Sequence, residues 1–164
     1  ITESVVASAA HCFTGLKESD VKFAIGKRYS NITIRTDGEP DAKTFDVKRI
    51  YRHPMYLDNL GNYGQDIVLV ELNEIIQLDE NIHPICIDWD GIDSVAANQS
   101  GILVGMGVTE NDTFSEVVRM ASLKVISTED CIKKQPKDFQ KFITFTTFCA
   151  GLENGECVFL KTMF

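Results

Sequence analysis

The sequence predicts an all-β protein, and three observations support that prediction. Apolar and polar residues alternate, or run apolar, over stretches of strand length. Clusters of Gly, Asn and Asp, such as DGEPDA (37–42) and LDNLGNYG (57–64), separate these stretches as turn-forming residues do. Only one segment has the pattern of a helix. Regular short strands of this kind are typical of a sandwich or a barrel.

Six strands and one short helix follow from these patterns. The helix is predicted at STEDCIKK (127–134), where Ser127 or Thr128 can cap a first turn that contains two acidic residues. The acidic and polar stretch at 88–101 separates two β-rich halves, 1–90 and 91–164, which fits two small barrels or sheets that meet at a cleft. The strands are predicted at VKFAIG (21–26), NITIRT (31–36), FDVKRIY (45–51), DIVLVEL (66–72), GILVGMGV (101–108) and ASLKVIS (121–127).

Charge and hydropathy exclude several classes of partner. The 164 residues carry a formal net charge of -8 at pH 7, with a sequence pI of about 4.8. Such a field repels phosphates and argues against nucleic acid or an anionic membrane. No apolar run approaches the ~20 residues of a membrane span. The opening SVVASAA lacks the basic flank of a secretory signal, and Ile1 is interpreted as a truncation point.

The cysteines and the sequons point to an oxidising compartment. Five cysteines are many for a cytosolic domain of this size. They form no C-x-x-C and no Cys/His cluster, so the sequence predicts no metal site. Three N-x-[ST] sequons make Asn31, Asn98 and Asn111 candidate glycosylation sites on surface loops. Together these features predict a secreted, extracellular protein.

The first chemical candidate is His11, in SAAHCFTG (8–15). A histidine can serve as a base in nucleophilic catalysis when an acidic group fixes its tautomer. Asp66 stands just before an apolar strand, and the burial of Ile67 and Leu69 is expected to draw its carboxylate inward, where it needs a partner. Taken singly, each residue has a plainer interpretation: a packed or surface histidine, and an aspartate in a turn.

Six short segments, in order along the chain, share the pattern of one known family. They are ASAAHC (7–12), IYRHPMY (50–56), QDIVLVEL (65–72), HPICI (83–87), VGMGVT (104–109) and FCAGLENGEC (148–157). In this order they resemble segments of the chymotrypsin/trypsin-like serine endopeptidases (peptidase S1), and most of all the proteases of arthropod haemolymph. Met106 stands where that family usually has the Trp of Gly-Trp-Gly.

The resemblance implies a trypsin-like fold of two antiparallel six-stranded β-barrels, with His11 as general base and Asp66 as the carboxylate that orients it. It implies protein or peptide substrates, or proteins of a cascade as partners, and no cofactor. Some relatives bind calcium in loops of the first barrel, but RTDGEPDA (35–42) is too weak a ligand pattern to predict a calcium site. The first barrel (1–90) is expected to lack its N-terminal strands, and the second (91–164) the nucleophile segment and the C-terminal strands. A barrel without closing strands exposes edges, so the chain alone is expected to be unstable or prone to aggregate.

The same resemblance accounts for the cysteines. It implies a disulfide between Cys131 and Cys149 within the second barrel. It also implies that Cys12, Cys86 and Cys157 are halves of bridges whose partners lie outside these 164 residues. The partner of Cys86 is expected in a propeptide or a regulatory region.

The family pattern breaks after Cys157. The family continues C-x-G-D-S-G-G, in which the glycine and the serine supply oxyanion-hole N–H groups and the serine is the nucleophile. This chain instead has Phe159 at the glycine position, Leu160 at the aspartate and Lys161 at the serine. Removing the serine of such a triad lowers the rate ~10⁶-fold in subtilisin. The chain as written is therefore not expected to hydrolyse peptides by the family mechanism.

Two interpretations of function follow, and a third is disfavoured. The first is a trypsin-like serine endopeptidase present as a truncated sequence, through a splice-site or frame error or an alternative isoform. The second is a non-catalytic serine protease homologue that acts as a binding or regulatory module in an extracellular cascade. An unrelated secreted β protein is disfavoured by the ordered motifs. Gly155, at the family's primary-pocket position, does not support selection of Lys or Arg, so the substrate stays open.

Overall fold

The structure, a computed structural model, describes residues 2–30, 39, 42–87, 96–108 and 111–151. Within these ranges it has few helical segments, namely α1 (Thr128–Lys134), α2 (Lys137–Gln140) and 3₁₀ turns at Ala10–Phe13, Glu18–Asp20 and Asp58–Gly61. The strands are β1 (Val5–Ser8), β2 (Lys22–Ile25), β3 (Lys43–Arg52), β4 (Val68–Leu72), β5 (Ser100–Gly105), β6 (Arg119–Ile126) and β7 (Cys149–Gly151). The predicted all-β class is confirmed.

The strands form two antiparallel sheets, one in each half of the chain. The first has the order β1-β4-β3-β2, and the second has the order β5-β6-β7. The described part of the chain thus contains four strands of the first sheet and three of the second, fewer than the six of a complete barrel. None of the described helices is long and apolar enough to cross a membrane.

Strand β4 lies at the centre of the first core because its residues alternate between two faces. Val68, Val70 and Leu72 are all buried, as the period of two in a strand requires. The expectation that Ile67 and Leu69 are buried is wrong, since they are 47% and 38% exposed. Leu69 lies on the opposite face of the strand. Ile67 lies two residues before Leu69 and therefore falls on the same side.

Strand β3 supplies three further core residues, and a bulge lets it do so. Phe45, Val47 and Ile50 are buried, although a regular strand would bring residues 45, 47 and 49 to the same face. The register with β4 shifts between Val47 and Arg49. One extra residue at this point reverses the phase of the alternation. The core continues into the loops through Ala10, Phe13 and Ile76.

Five of the six predicted strands match observed strands, with ends that differ by a few residues. NITIRT lies outside the described residues. Strands β1 and β7 were not predicted, because each has only three or four residues and no alternation long enough to recognise. The predicted helix is α1, in which the Ser127 hydroxyl accepts a hydrogen bond from the Asp130 N–H at 3.1 Å.

Candidate active site

His11 lies on a short, firmly held 3₁₀ turn that follows β1. Its neighbours Ala10 and Phe13 are buried, at 0% and 4% exposure, so the turn is anchored in the first core. The Arg52 guanidinium donates to the carbonyls of Phe13 at 2.7 Å and Leu16 at 2.8 Å, which fixes the end of the turn. The His11 side chain points away from this core and is 40% exposed.

Asp66 reaches His11 because β1 and β4 are neighbours. Ser8 at the end of β1 pairs with Val68 at the start of β4, so the residues just outside the two strands come together. Asp66 Oδ1 accepts a hydrogen bond from the backbone N–H of His11 at 2.8 Å. Asp66 Oδ2 lies 2.6 Å from His11 Nδ1. The sequence predicted both residues, and the structure brings them into direct contact.

The two contacts determine what the imidazole can do chemically. An ionised carboxylate only accepts hydrogen bonds, so the proton of a neutral His11 belongs on Nδ1. The lone pair is then on Nε2, which leaves that nitrogen able to accept a proton. Among the described residues, no group hydrogen-bonds to Nε2. The pair therefore has the geometry of an oriented general base, with Asp66 fixing both the backbone and the ring of His11.

Tyr56 packs against the first core near Asp66. Burial raises the pKa of its phenol above the ordinary value of 10.0. The nearby carboxylates of Asp66 and Asp58 raise it further, and only a contact with Thr14 opposes the shift. The phenol therefore stays neutral and adds no charge beside the histidine.

The other predicted site residues fall into four groups. Cys131 and Cys149 form a disulfide with Cα atoms 6.3 Å apart, the pairing that the resemblance implied. Cys12 is a half-buried free thiol and Cys86 an exposed one; their bridges to cysteines elsewhere stay predictions. Asn98 and Asn111 are exposed. Asn31, Gly155, Cys157, Phe159, Leu160 and Lys161 lie outside the described residues.

A buried ion pair in the first half was not predicted. The Glu39 side chain is 0% exposed and pairs with the ammonium of Lys27, which is 9% exposed. Glu39 also accepts hydrogen bonds from the backbone N–H groups of Arg28 at 2.7 Å and Tyr29 at 2.8 Å. The segment RTDGEPDA had suggested only a weak calcium pattern. In the described ranges, no three His, Cys, Asp or Glu residues are grouped to hold a metal ion.

Comparison with known proteins identifies the same lineage throughout the chain. The family model Trypsin matches residues 1–158. Clotting factor C of Tachypleus tridentatus is 28% identical over 94% of this chain and 16% of that protein. Proclotting enzyme of the same species is 27% identical over 94% of this chain and 42% of that protein. The chain therefore spans well under two thirds of the length of these relatives.

A solved structure has the same fold. It is neuropsin, a serine protease expressed in the limbic system of mouse brain, with a TM-score of 0.74 and 22% identity. The match covers 95% of this chain and 63% of that chain. At this level of identity the likeness supports the trypsin-like fold alone.

Proposed function

Because the chain belongs to the trypsin family of serine proteases, we propose that it carries the base and orienting acid of a serine endopeptidase active site. His11 is the general base and Asp66 the carboxylate that orients it. The observation that supports this assignment is the double contact of Asp66 with the backbone N–H and Nδ1 of His11, at 2.8 and 2.6 Å. The reaction class is hydrolysis of peptide bonds in protein or peptide substrates.

In the proposed reaction these two residues handle the proton. His11 Nε2 removes the proton of an attacking serine hydroxyl and then delivers it to the leaving amine. Asp66 stabilises the imidazolium that exists between these two proton transfers. Both transfers require a serine within hydrogen-bond reach of Nε2. The chain has Lys161 at the matching position, and a protonated amine has no lone pair with which to attack.

A non-catalytic homologue is the second candidate. The observation that favours it is the replacement of three functional positions together, by Phe159, Leu160 and Lys161. Such a chain would keep the scaffold and the His11–Asp66 pair and would act by binding proteins. Proteins of a cascade are the partners we propose in either case, because the relatives include a clotting factor and a proclotting enzyme.

An extracellular location is part of the proposal. A disulfide persists in oxidising compartments, and Cys131–Cys149 is such a bond. Exposed Asn98 and Asn111 lie in sequons, so we propose them as glycosylation sites together with Asn31. A loss of mass after treatment with an N-glycosidase, observed on protein secreted from insect cells and absent from the Asn→Gln variants, tests this assignment.

Two measurements test the function. A fluorophosphonate probe, which reacts with activated serines, is not expected to label the 164-residue chain, whereas active trypsin is the positive control. The transcript is then sequenced across the codon for Cys157. An in-frame Gly-Asp-Ser-Gly-Gly supports the endopeptidase. A full-length second barrel without that serine supports the homologue. Labelling of the 164-residue chain that survives His11→Ala would contradict the assignment of the base.

A further inference from the structure

The loop that precedes Asp66 has an unusual backbone. Asp58, Asn62, Tyr63 and Gln65 all have positive φ, at 52°, 50°, 56° and 60°. Left-handed conformations are uncommon for residues other than glycine, and for a bulky side chain such as Tyr63 they are a true outlier. A strained backbone of this kind persists only where its surroundings hold it. The contacts of Tyr63 therefore need an explanation.

Tyr63, which is 39% exposed, contacts both the histidine and a residue of the other half of the chain. Its ring meets the His11 ring edge-on, with centroids 6.5 Å apart and an interplanar angle of 84°. It also contacts the Phe142 ring, with centroids 6.0 Å apart. Phe142 in turn contacts Phe139 at 5.1 Å. Aromatic pairs at such distances attract each other beyond the effect of the area they bury.

Phe142 occupies a segment that the disulfide closes. Cys131 and Cys149 are 18 positions apart, and closing a loop of that size reduces the conformational freedom of the unfolded chain. A second contact joins this segment to the loop before Asp66, since the Gln65 N–H donates to Thr146 Oγ1 at 3.5 Å. Gly64 lies beside the same hydroxyl, and a Cβ there would come within 3.2 Å of the Gly61 carbonyl.

We propose that Tyr63 is a positioning residue for His11, and that the disulfide-closed segment 131–149 holds Tyr63 in place through Phe142. Asp66 fixes the imidazole at Nδ1, and the Tyr63 ring limits how far the imidazole can swing about that hydrogen bond. The inference rests on the function proposed for His11. It makes the orientation of the base depend on a segment that the second half of the chain supplies.

The test observes the His11 ring itself, by NMR of protein labelled in its histidines. The chain has three histidines, so His53 and His83 are internal references and His11→Gln assigns the third signal. Phe142→Ala is expected to shift and broaden the His11 ring signals and to leave the two references unchanged. Phe145→Ala is the matched control, because Phe145 lies in the same segment but is 93% exposed; it is expected to change nothing.

Substitutions at Tyr63 show whether Phe142 acts through it. Tyr63→Phe keeps the ring and is expected to leave the His11 signals as they are, whereas Tyr63→Ala reproduces the effect of Phe142→Ala. The double variant is expected to resemble Tyr63→Ala alone, since the second substitution then has nothing left to release. If Phe142→Ala does not fold, Phe142→Leu keeps most of the apolar volume without the ring and is expected to give the same shift.

Three results would overturn the proposal. They are unchanged His11 signals in a folded Phe142 variant, an equal effect of Phe145→Ala, and additive effects of the Tyr63 and Phe142 substitutions. None of these readouts requires hydrolysis. A failure here is therefore distinct from a failure of the proposed function, which the serine probe and the transcript decide.

Discussion

The Asp66 carboxylate determines which nitrogen of His11 carries the proton. Asp66→Asn replaces an acceptor-only group by an amide whose NH₂ can donate to Nδ1. We expect the neutral imidazole of that variant to shift towards the Nε2–H tautomer, which ¹⁵N chemical shifts of the labelled ring distinguish. Asp58→Asn is the control, because Asp58 accepts from Thr14 at 2.8 Å instead of from His11. An unchanged tautomer in Asp66→Asn would show that the carboxylate does not set it.

Tyr56 gives a prediction for alkaline pH. Burial raises the pKa of its phenol in the folded state, whereas the unfolded phenol ionises near pH 10. Above that pH the unfolded state loses its proton first, so the free energy of unfolding falls as pH rises towards the folded-state pKa. Tyr56→Phe removes this contribution. The free energy of unfolding of the variant, minus that of the parent, is expected to increase between pH 9 and 11, as measured by urea titrations. A difference that stays constant over this range would contradict the raised pKa of Tyr56.

Lys27 and Glu39 form the most buried ion pair among the described residues. Breaking this pair is expected to lower the free energy of unfolding. Glu39→Gln leaves the Lys27 ammonium without its carboxylate, for an expected loss of about 3–5 kcal/mol in the free energy of unfolding. The amide oxygen of Gln can still accept from the backbone N–H groups of Arg28 and Tyr29. The double variant Lys27→Met/Glu39→Gln is therefore expected to recover most of the loss. Equal losses in the single and double variants, measured by urea unfolding, would contradict this account.

Sequence patterns identified the two residues of the pair but not the contacts around them. His11 and Asp66 stand in two of the six ordered segments that resemble one family, and their roles were inferred from that resemblance, not from either residue taken singly. Tyr63 and Phe142 belong to no recognisable motif, so the sequence does not distinguish them from other aromatic residues. Only the packing of the two halves brings them together. Glu39 lies among turn residues where exposure is the normal expectation, and its burial depends on the distant Lys27.

Local capping chemistry could be predicted for α1, down to a choice between two residues. The structure selects Ser127, which accepts from the Asp130 N–H at 3.1 Å, with the helix starting at Thr128. Ser127→Ala is expected to lower the free energy of unfolding by about 1 kcal/mol, as for other lost N-caps. Thr128→Ala is the control and should have a smaller effect. Thermal unfolding of both variants measures the difference in stability. A larger loss of stability in Thr128→Ala would show that Ser127 is not the N-cap.

The strands show where pattern reading fails for a physical reason. The apolar run of β4 could be recognised from the sequence. Which of its two alternating sets of residues faces the core could not, and Ile67 and Leu69 were therefore wrongly expected to be buried. In β3 the bulge after Val47 changes the face of every later residue, and nothing in FDVKRIY indicates an extra residue. Both features depend on pairing with neighbouring strands, which composition and spacing do not contain.

Across the whole molecule, backbone contacts join the segments that carry the two sheets. Tyr29 pairs with Val117 in an isolated antiparallel bridge. The Ser30 N–H donates to the Glu116 carbonyl at 2.9 Å, and the Val118 N–H to the Arg28 carbonyl at 2.9 Å. The division into units 1–90 and 91–164 stays a proposal. These contacts predict that the two would not unfold independently.

The second sheet exposes an apolar face, and we expect that face to govern how the 164-residue chain associates in solution. Ile102, Val104 and Met120 are 70%, 53% and 73% exposed. They lie on one side of the sheet, because Val104 pairs with Met120 and Ile102 is two residues away in β5. Contiguous apolar surface of this kind promotes association, so we expect the average mass in sedimentation experiments to rise with concentration.

A double substitution on that face tests the expectation. Ile102→Thr with Met120→Thr keeps residues that favour strands but removes most of the apolar surface, and the variant is expected to stay monomeric over a wider range of concentration. Leu60→Thr is the control, since Leu60 is 93% exposed but lies in the first half of the chain. A parent chain that sediments as a monomer at every concentration and unfolds cooperatively would refute the prediction. Equal benefit from Leu60→Thr would show that exposure in general, and not this face, drives the association.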